Sequence, residues 1–170
     1  MRARGPWWEK AAGIAVVMVG AATEEAARLN EPFTHFMRTG RPLVTLKSAV
    51  TLDGKIAAPE DNEGWITSEL ARLHVQSLRH TSDVMITGIG TVIEDDPMLN
   101  DRTGLPRSRP LLRVVLDSQL RLGVHSRLVT SCQGDVMVAT TTAANATQRE
   151  ALEAKGVEVM VFDAANRRVS

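Results

Sequence analysis

Apolar and polar residues change period repeatedly along this chain, and the changes divide it into short strands and helices. The run Ala11 to Ala22 is apolar throughout, and Ile14, Val16, Val17 and Val19 within it suit a buried strand. Thr23 followed by Glu24 and Glu25 reads as a capped helix start, and Ala26, Leu29 and Phe33 continue at helical spacing toward Arg38. Pro32 should kink or divide that helix. Thr39-Gly40-Arg41-Pro42 then breaks the pattern and marks a boundary, because the next segment, Leu43 to Val50, has strand composition. Asp53-Gly54 is a turn signal, and Pro59 to Gly64 is polar enough for a surface loop that ends at Trp65.

Thr67 or Ser68, with Glu69 following, caps a helix whose apolar residues Leu70, Leu73, Val75 and Leu78 run to about Arg79. Asp83 to Thr87 reads as a buried strand, and Gly88-Ile89-Gly90-Thr91 leads from it into a helical turn, Val92 to Asp96, that Pro97 ends. A polar, proline-marked loop runs from Asn100 to Pro110. Leu111 to Leu116, Val136 to Ala139 and Val157 to Phe162 are further strands, with a helix from Ala144 to Ala154 between the last two. Such alternation implies an α/β fold with a mostly parallel sheet and helices on both faces. The last strand shows no partner after it, and Asn166 to Ser170 reads as an arbitrary stop.

Composition narrows the function. With 170 residues, 44% of them hydrophobic, the chain can bury one sizeable core. Twenty basic and twenty acidic residues cancel, so the net field favours neither a nucleic acid nor an anionic membrane, and an anionic substrate requires a local basic cluster. Three Trp, three Phe and no Tyr argue against base-stacking platforms. Cys132 is the sole cysteine, which excludes an internal disulfide and a Cys-rich zinc site and fits a reducing cytoplasm. Arg2, Arg4 and Lys10 ahead of the first apolar run mimic a signal peptide, but the strand-like run and the capped helix after it argue against one. No stretch suits a bilayer span.

Ligands of open α/β sheets sit beyond the carboxyl ends of strands, where this chain places Asp53, Thr87, Thr91, Asp95, Asp96, Asp117 and Ser118. The glycines of Gly88-Ile89-Gly90-Thr91 allow backbone close to a phosphate at a helix start, or serve turn geometry alone. Lys47 either points to solvent or meets an anion. Arg79 and His80 complement a helix C-terminus, Arg102 reads as a solvated loop charge, and Trp65 is a core anchor or a flat wall for a planar ring. His35, His74, His80 and His125 match no metal spacing, no His-x-Glu pair is present, and neither Gly-x-Ser-x-Gly nor a base for Cys132 supports a nucleophile.

Taken together, Thr39-Gly-Arg-Pro-Leu-Val-Thr-Leu-Lys47, Thr51-Leu-Asp-Gly-Lys-Ile-Ala57, Trp65-Ile-Thr-Ser68, Gly88-Ile-Gly-Thr-Val-Ile-Glu-Asp-Asp-Pro97 and Arg113-Val-Val-Leu-Asp-Ser118 closely resemble the bifunctional riboflavin-biosynthesis family RibD. In that family a zinc deaminase precedes a reductase of dihydrofolate-reductase-like fold. The resemblance implies that residues 1–40 are a deaminase tail and junction, without the zinc motifs, and that 41–170 are an incomplete reductase domain. It implies NADPH as cofactor, a phosphoribosylaminopyrimidine as small-molecule substrate, a cytoplasmic setting and a homo-oligomeric parent. Matching positions make Val50, Trp65, Thr91, Asp95 and Ser118 cofactor contacts, Glu63, Arg79, Leu99 and Arg102 substrate contacts, and Lys47 the catalytic cation. Two departures stand out: Asp61-Asn-Glu-Gly64 puts Glu63 where a Ser hydroxyl is expected, and the family's domain continues past Ser170. The latter leaves open a non-catalytic fragment that binds nucleotide or associates through an exposed sheet edge.

Overall fold

The computed structural model describes residues 20–56, 66–165 and 168–169. The chain divides into two compact units, Met1–Ile56 and Ala57–Ser170. The strand expected at Ile14 to Val19 lies outside the described residues.

In the first unit the expected helix is indeed divided, into α1 (Gly20–Leu29) and α2 (Glu31–Thr39). Asn30 breaks it, its side-chain amide turning back to donate to the Ala26 carbonyl at 2.8 Å. Pro32 falls in the first turn of α2, where a missing N–H costs no hydrogen bond. Gly40 closes α2 with a left-handed φ of 66°, its N–H bonded to the Phe36 carbonyl at 2.8 Å. Residues 42–50 form no regular element, which corrects the strand expected there. Val44 is 79% and Leu46 91% exposed. Strand composition is insufficient without a ladder partner, and this unit has no strand among its described residues. The turn at Asp53-Gly54 does form: the Thr51 N–H bonds the Lys55 carbonyl at 2.8 Å, and Gly54 takes φ 82°.

The second unit opens with α3 (Glu69–Thr81), capped by the Ser68 hydroxyl, which accepts from the Ala71 N–H. Then come β1 (Val84–Gly88), α4 (Ile89–Asp95), β2 (Leu112–Leu116), α5 (Arg127–Thr130), β3 (Val136–Thr141), α6 (Ala146–Glu153) and β4 (Glu158–Phe162). A two-residue pair, β5 (Ala164–Ala165) and β6 (Arg168–Val169), is antiparallel. The four main strands are parallel in the order β1-β2-β3-β4.

Three successive crossovers in one direction carry α4, α5 and α6 to the same face, as a constant hand of connection requires. There Val115, Val136, Val138 and Val159 meet Ile89, Val92, Leu128, Val129 and Leu152 in a single core. Each fully buried aliphatic side chain contributes about 1.5–3 kcal/mol. The other face alternates: Val114 and Ala139 are buried, while Val84, Ile86, Leu116, Met160 and Phe162 are exposed. No helix among the described residues is long and apolar enough to cross a membrane.

Candidate functional site

The expected ligand contacts fall in different parts of the chain. Lys47 and Val50 belong to the first unit and are exposed. Glu63 and Trp65 lie outside the described residues. Thr91, Asp95, Ser118, Arg79, Leu99 and Arg102 belong to the second unit, in two groups.

The first group surrounds the C-terminus of α3. Arg79, in its last turn, is half-buried, and its Nη1 donates to the Asn100 carbonyl at 3.2 Å. Burial, then the neighbouring Arg102 charge, push the Arg79 guanidinium down from its ordinary value, with Asp101 opposing. An arginine remains cationic under such a shift, so the Arg79 and Arg102 charges act on one another. Arg79 Nε is buried and has no hydrogen-bond partner. Arg102 is fixed through its backbone, whose N–H donates to Gln76 Oε1 at 3.0 Å, leaving its side chain exposed.

Arg79 and His80 do not cap α3 themselves, as the sequence suggested. Arg107, reaching back from the proline-marked loop, donates to the carbonyls of Arg79 at 2.9 Å, Ser82 at 2.6 Å and His80. His80 Nδ1 instead lies 2.8 Å from Asp101 Oδ2, which also takes Arg107 Nη1 at 3.3 Å. The Thr103 N–H holds the Asp101 carboxyl well below the usual carboxylate range against its burial, with His80, the Thr103 hydroxyl and Arg107 adding to the effect. The signal for this clasp was slight: Arg107, one of two arginines between Pro106 and Pro110, in a segment that reads simply as polar loop. A recess of about 210 Å³ behind it is lined by His80, Ser82, Arg107 and Arg109 and by none of the expected contacts.

Leu99 sits between these groups. It is 5% exposed, part of the core, and held at φ 55°, a left-handed conformation costly for a branched side chain. Asp96, three residues earlier, is also left-handed at φ 37° and caps α4, while its Oδ1 accepts the Arg127 N–H at 2.8 Å.

The second group occupies the carboxyl ends of β1 to β3. Thr91 and Asp95 are exposed on α4, which starts directly from Gly88. A Cβ built on Gly88 or Gly90 would meet nothing within 4 Å, so open space faces the backbone here. The Ser118 carbonyl accepts the Thr141 hydroxyl at 2.8 Å. Asp117 is fully buried; its Oδ2 accepts the Leu122 N–H at 2.8 Å, and its Oδ1 has no partner. Thr140, at the same rank on β3, is equally buried, and its hydroxyl is also unpartnered.

A parallel sheet with polar groups gathered at the carboxyl ends of its strands is the arrangement at which open α/β domains bind small molecules. The family model described as the RibD C-terminal domain matches residues 42–169, and the chain belongs to that family. It is 39% identical to the riboflavin biosynthesis protein RibD of Actinobacillus pleuropneumoniae over 98% of this chain and 43% of that protein. It is 37% identical to the chloroplastic riboflavin biosynthesis protein PYRR of Arabidopsis thaliana over 86% of this chain and 24% of that protein. Among solved structures, Acinetobacter baumannii RibD superposes with a TM-score of 0.74 at 36% identity, over 92% of this chain and 43% of that one. A Thermotoga maritima deaminase and 5-amino-6-(5-phosphoribosylamino)uracil reductase gives 0.65 at 30% identity, over 91% and 49%. The α/β, dihydrofolate-reductase-like fold expected from the sequence is thus shown. The chain spans about two fifths of the length of the curated relatives it matches.

Proposed function

We propose that this chain carries the reductase site of riboflavin biosynthesis, which reduces 5-amino-6-(5-phosphoribosylamino)uracil to its ribitylamino product with NADPH. The observation that carries the reading is the Arg79 and Arg102 pair. Two guanidiniums whose charges act on one another, one with a buried Nε lacking a partner, suit a dianionic phosphate such as that on the substrate's ribose.

The polar strand ends fit the nucleotide. Open space over Gly88 and Gly90 admits it against the backbone, beside Thr91, Asp95 and Ser118. Val50 and Trp65 complete the cofactor contacts by resemblance. NADPH supplies a hydride for the sugar C1′, and the chain's own residues bind, orient and exclude water. Lys47 is the cation that stabilises charge developing near the reacting sugar, with Glu63 and Leu99 as further substrate contacts. A small-molecule substrate and a cytoplasmic setting belong to the same reading.

Steady-state NADPH oxidation tests it. Arg102→Gln raises KM for the phosphorylated substrate by roughly tenfold to a hundredfold, the worth of a charge-assisted hydrogen bond, with little change in kcat. Lys47→Met removes most of kcat instead. A chain that turns over dephosphorylated substrate as well as the phosphate ester, or a Lys47→Met variant with full turnover, sinks the assignment.

A further inference from the structure

The Met98 to Arg102 backbone takes its tertiary hydrogen bonds from side chains on other elements. Asn100 O accepts from Arg79, and the Arg102 N–H donates to Gln76, both on α3. Met98 O accepts from Arg113 Nη1 at 2.8 Å, across the core from β2. Arg113 is 2% exposed, although the substituents around it, Leu112, Val114 and Val115, are those of an ordinary apolar strand. Nη1 also reaches Ser131 Oγ at 3.0 Å and Nη2 reaches Ser131 O at 3.1 Å and Asp135 Oδ1 at 2.7 Å, while Nε is buried without a partner.

We infer that Arg113 is a positioning residue for the substrate: by holding the Met98 carbonyl it keeps Leu99 left-handed and aims the Leu99–Arg102 segment at the ligand. This rests on the reading above, in which Leu99 and Arg102 contact the substrate. A charge is not needed at this position to fill the core, since an aliphatic side chain would pack among Val114, Val115 and Val136 without desolvating an ion. What the guanidinium adds is reach in a fixed fork. Nη2 meets Asp135, just before β3, and the Ser131 carbonyl at the end of α5, while Nη1 meets Ser131 Oγ and the Met98 carbonyl in the segment following α4. Unheld, residue 99 would relax from φ 55° toward the right-handed or extended regions, because a non-glycine residue keeps the left-handed one only under constraint. A shift of that size displaces Arg102, three residues on.

The test compares wild type, Arg113→Lys and Asp135→Asn. Lysine keeps a cation for Asp135 but cannot span both edges of the fork. Asp135→Asn breaks the ion pair and leaves the Met98 bond in place. Titration with ribose 5-phosphate and with NADPH is read beside hydrogen exchange of the Leu99 to Thr103 amides. Arg113→Lys is expected to weaken ribose 5-phosphate at least tenfold, keep NADPH affinity, and speed exchange in that segment. Asp135→Asn is expected to lower stability while keeping both affinities. Equal losses in the two variants, or a wild-type affinity in Arg113→Lys, overturn the inference. A wild-type chain that ignores ribose 5-phosphate removes the functional reading, and exchange then decides the hold alone: unchanged exchange in Arg113→Lys means that Arg113 does not set this segment.

Discussion

The two ends of strands β2 and β3 satisfy their buried polar groups to different degrees. Toward the amino ends, Arg113 is paired with Asp135 and Ser131 and extends to Met98, so the two terminal nitrogens of a buried charge meet four acceptors and only its Nε lacks one. Toward the carboxyl ends, four residues further along each strand, Asp117 Oδ1 and the Thr140 hydroxyl are as deeply buried and have no partner. A buried polar atom without a hydrogen bond costs roughly 1–3 kcal/mol. The amino end therefore supplies stability and geometry, and the carboxyl end spends it. The same division separates scaffold from binding site in open parallel sheets generally.

The sharpest way to break this contrast is Arg113→Met, which fills the space and strands the Asp135 carboxylate. Asp135 is only partly buried, so the expected loss is about 3 kcal/mol, the low end for a broken buried pair. Urea denaturation reads it directly. A loss below about 1 kcal/mol would mean that the amino end is no more committed than the carboxyl end.

Acid titration of stability is the next, smaller test. Asp101, in the loop that Arg113 and Arg79 tie down, has its folded pKa depressed below the unfolded value. Its contribution is thus present above the unfolded value, about 3.9, and is lost as the pH falls from there through the lower folded value. Asp135 shifts the same way: burial pushes it up, but the Arg113 hydrogen bond, the Gln133 N–H and the Arg113 charge outweigh that. Asp101→Asn is expected to be less stable at neutral pH and to show a flatter acid limb. An unchanged acid limb would mean that the Asp101 clasp contributes nothing to folding.

Much of the second unit was legible because its signals are local. Apolar runs ending near Thr87, Asp117-Ser118 and Ala139 mark β1, β2 and β3, and Thr67 or Ser68 announces α3. What was missed depends on distant partners. α5 is one turn long and has no periodicity to read. Arg113 looks like an outward polar residue in a strand until Asp135, 22 positions on, and Met98, 15 positions back, are brought to it. Arg107 hides in the same way, since its three carbonyl acceptors lie 25 to 28 residues earlier. The opposite error occurred at Leu43 to Val50, where β composition was plain and no pairing strand is present among the described residues of its unit. The resemblance named the ligand contacts, but nothing local in the sequence showed that Leu99 would be left-handed or that Arg79 would keep a buried, unpartnered nitrogen.

The smallest effect is the most discriminating, because it concerns the carboxyl end alone. Thr140→Val keeps shape and β-branching, so it suits β3 and disturbs no packing. It removes only the hydroxyl. If that hydroxyl is as unpartnered in solution as its surroundings imply, the variant gains about 1 kcal/mol, the desolvation cost no longer incurred. A loss of similar size would mean that a buried water bridges Thr140 to the free oxygen of Asp117, as polar pockets of this kind often hold. The carboxyl end would then be at least as well satisfied as the amino end, and the contrast between them would vanish. Equilibrium unfolding of the ligand-free chain separates the two outcomes by sign, with no dependence on whether the chain turns over substrate.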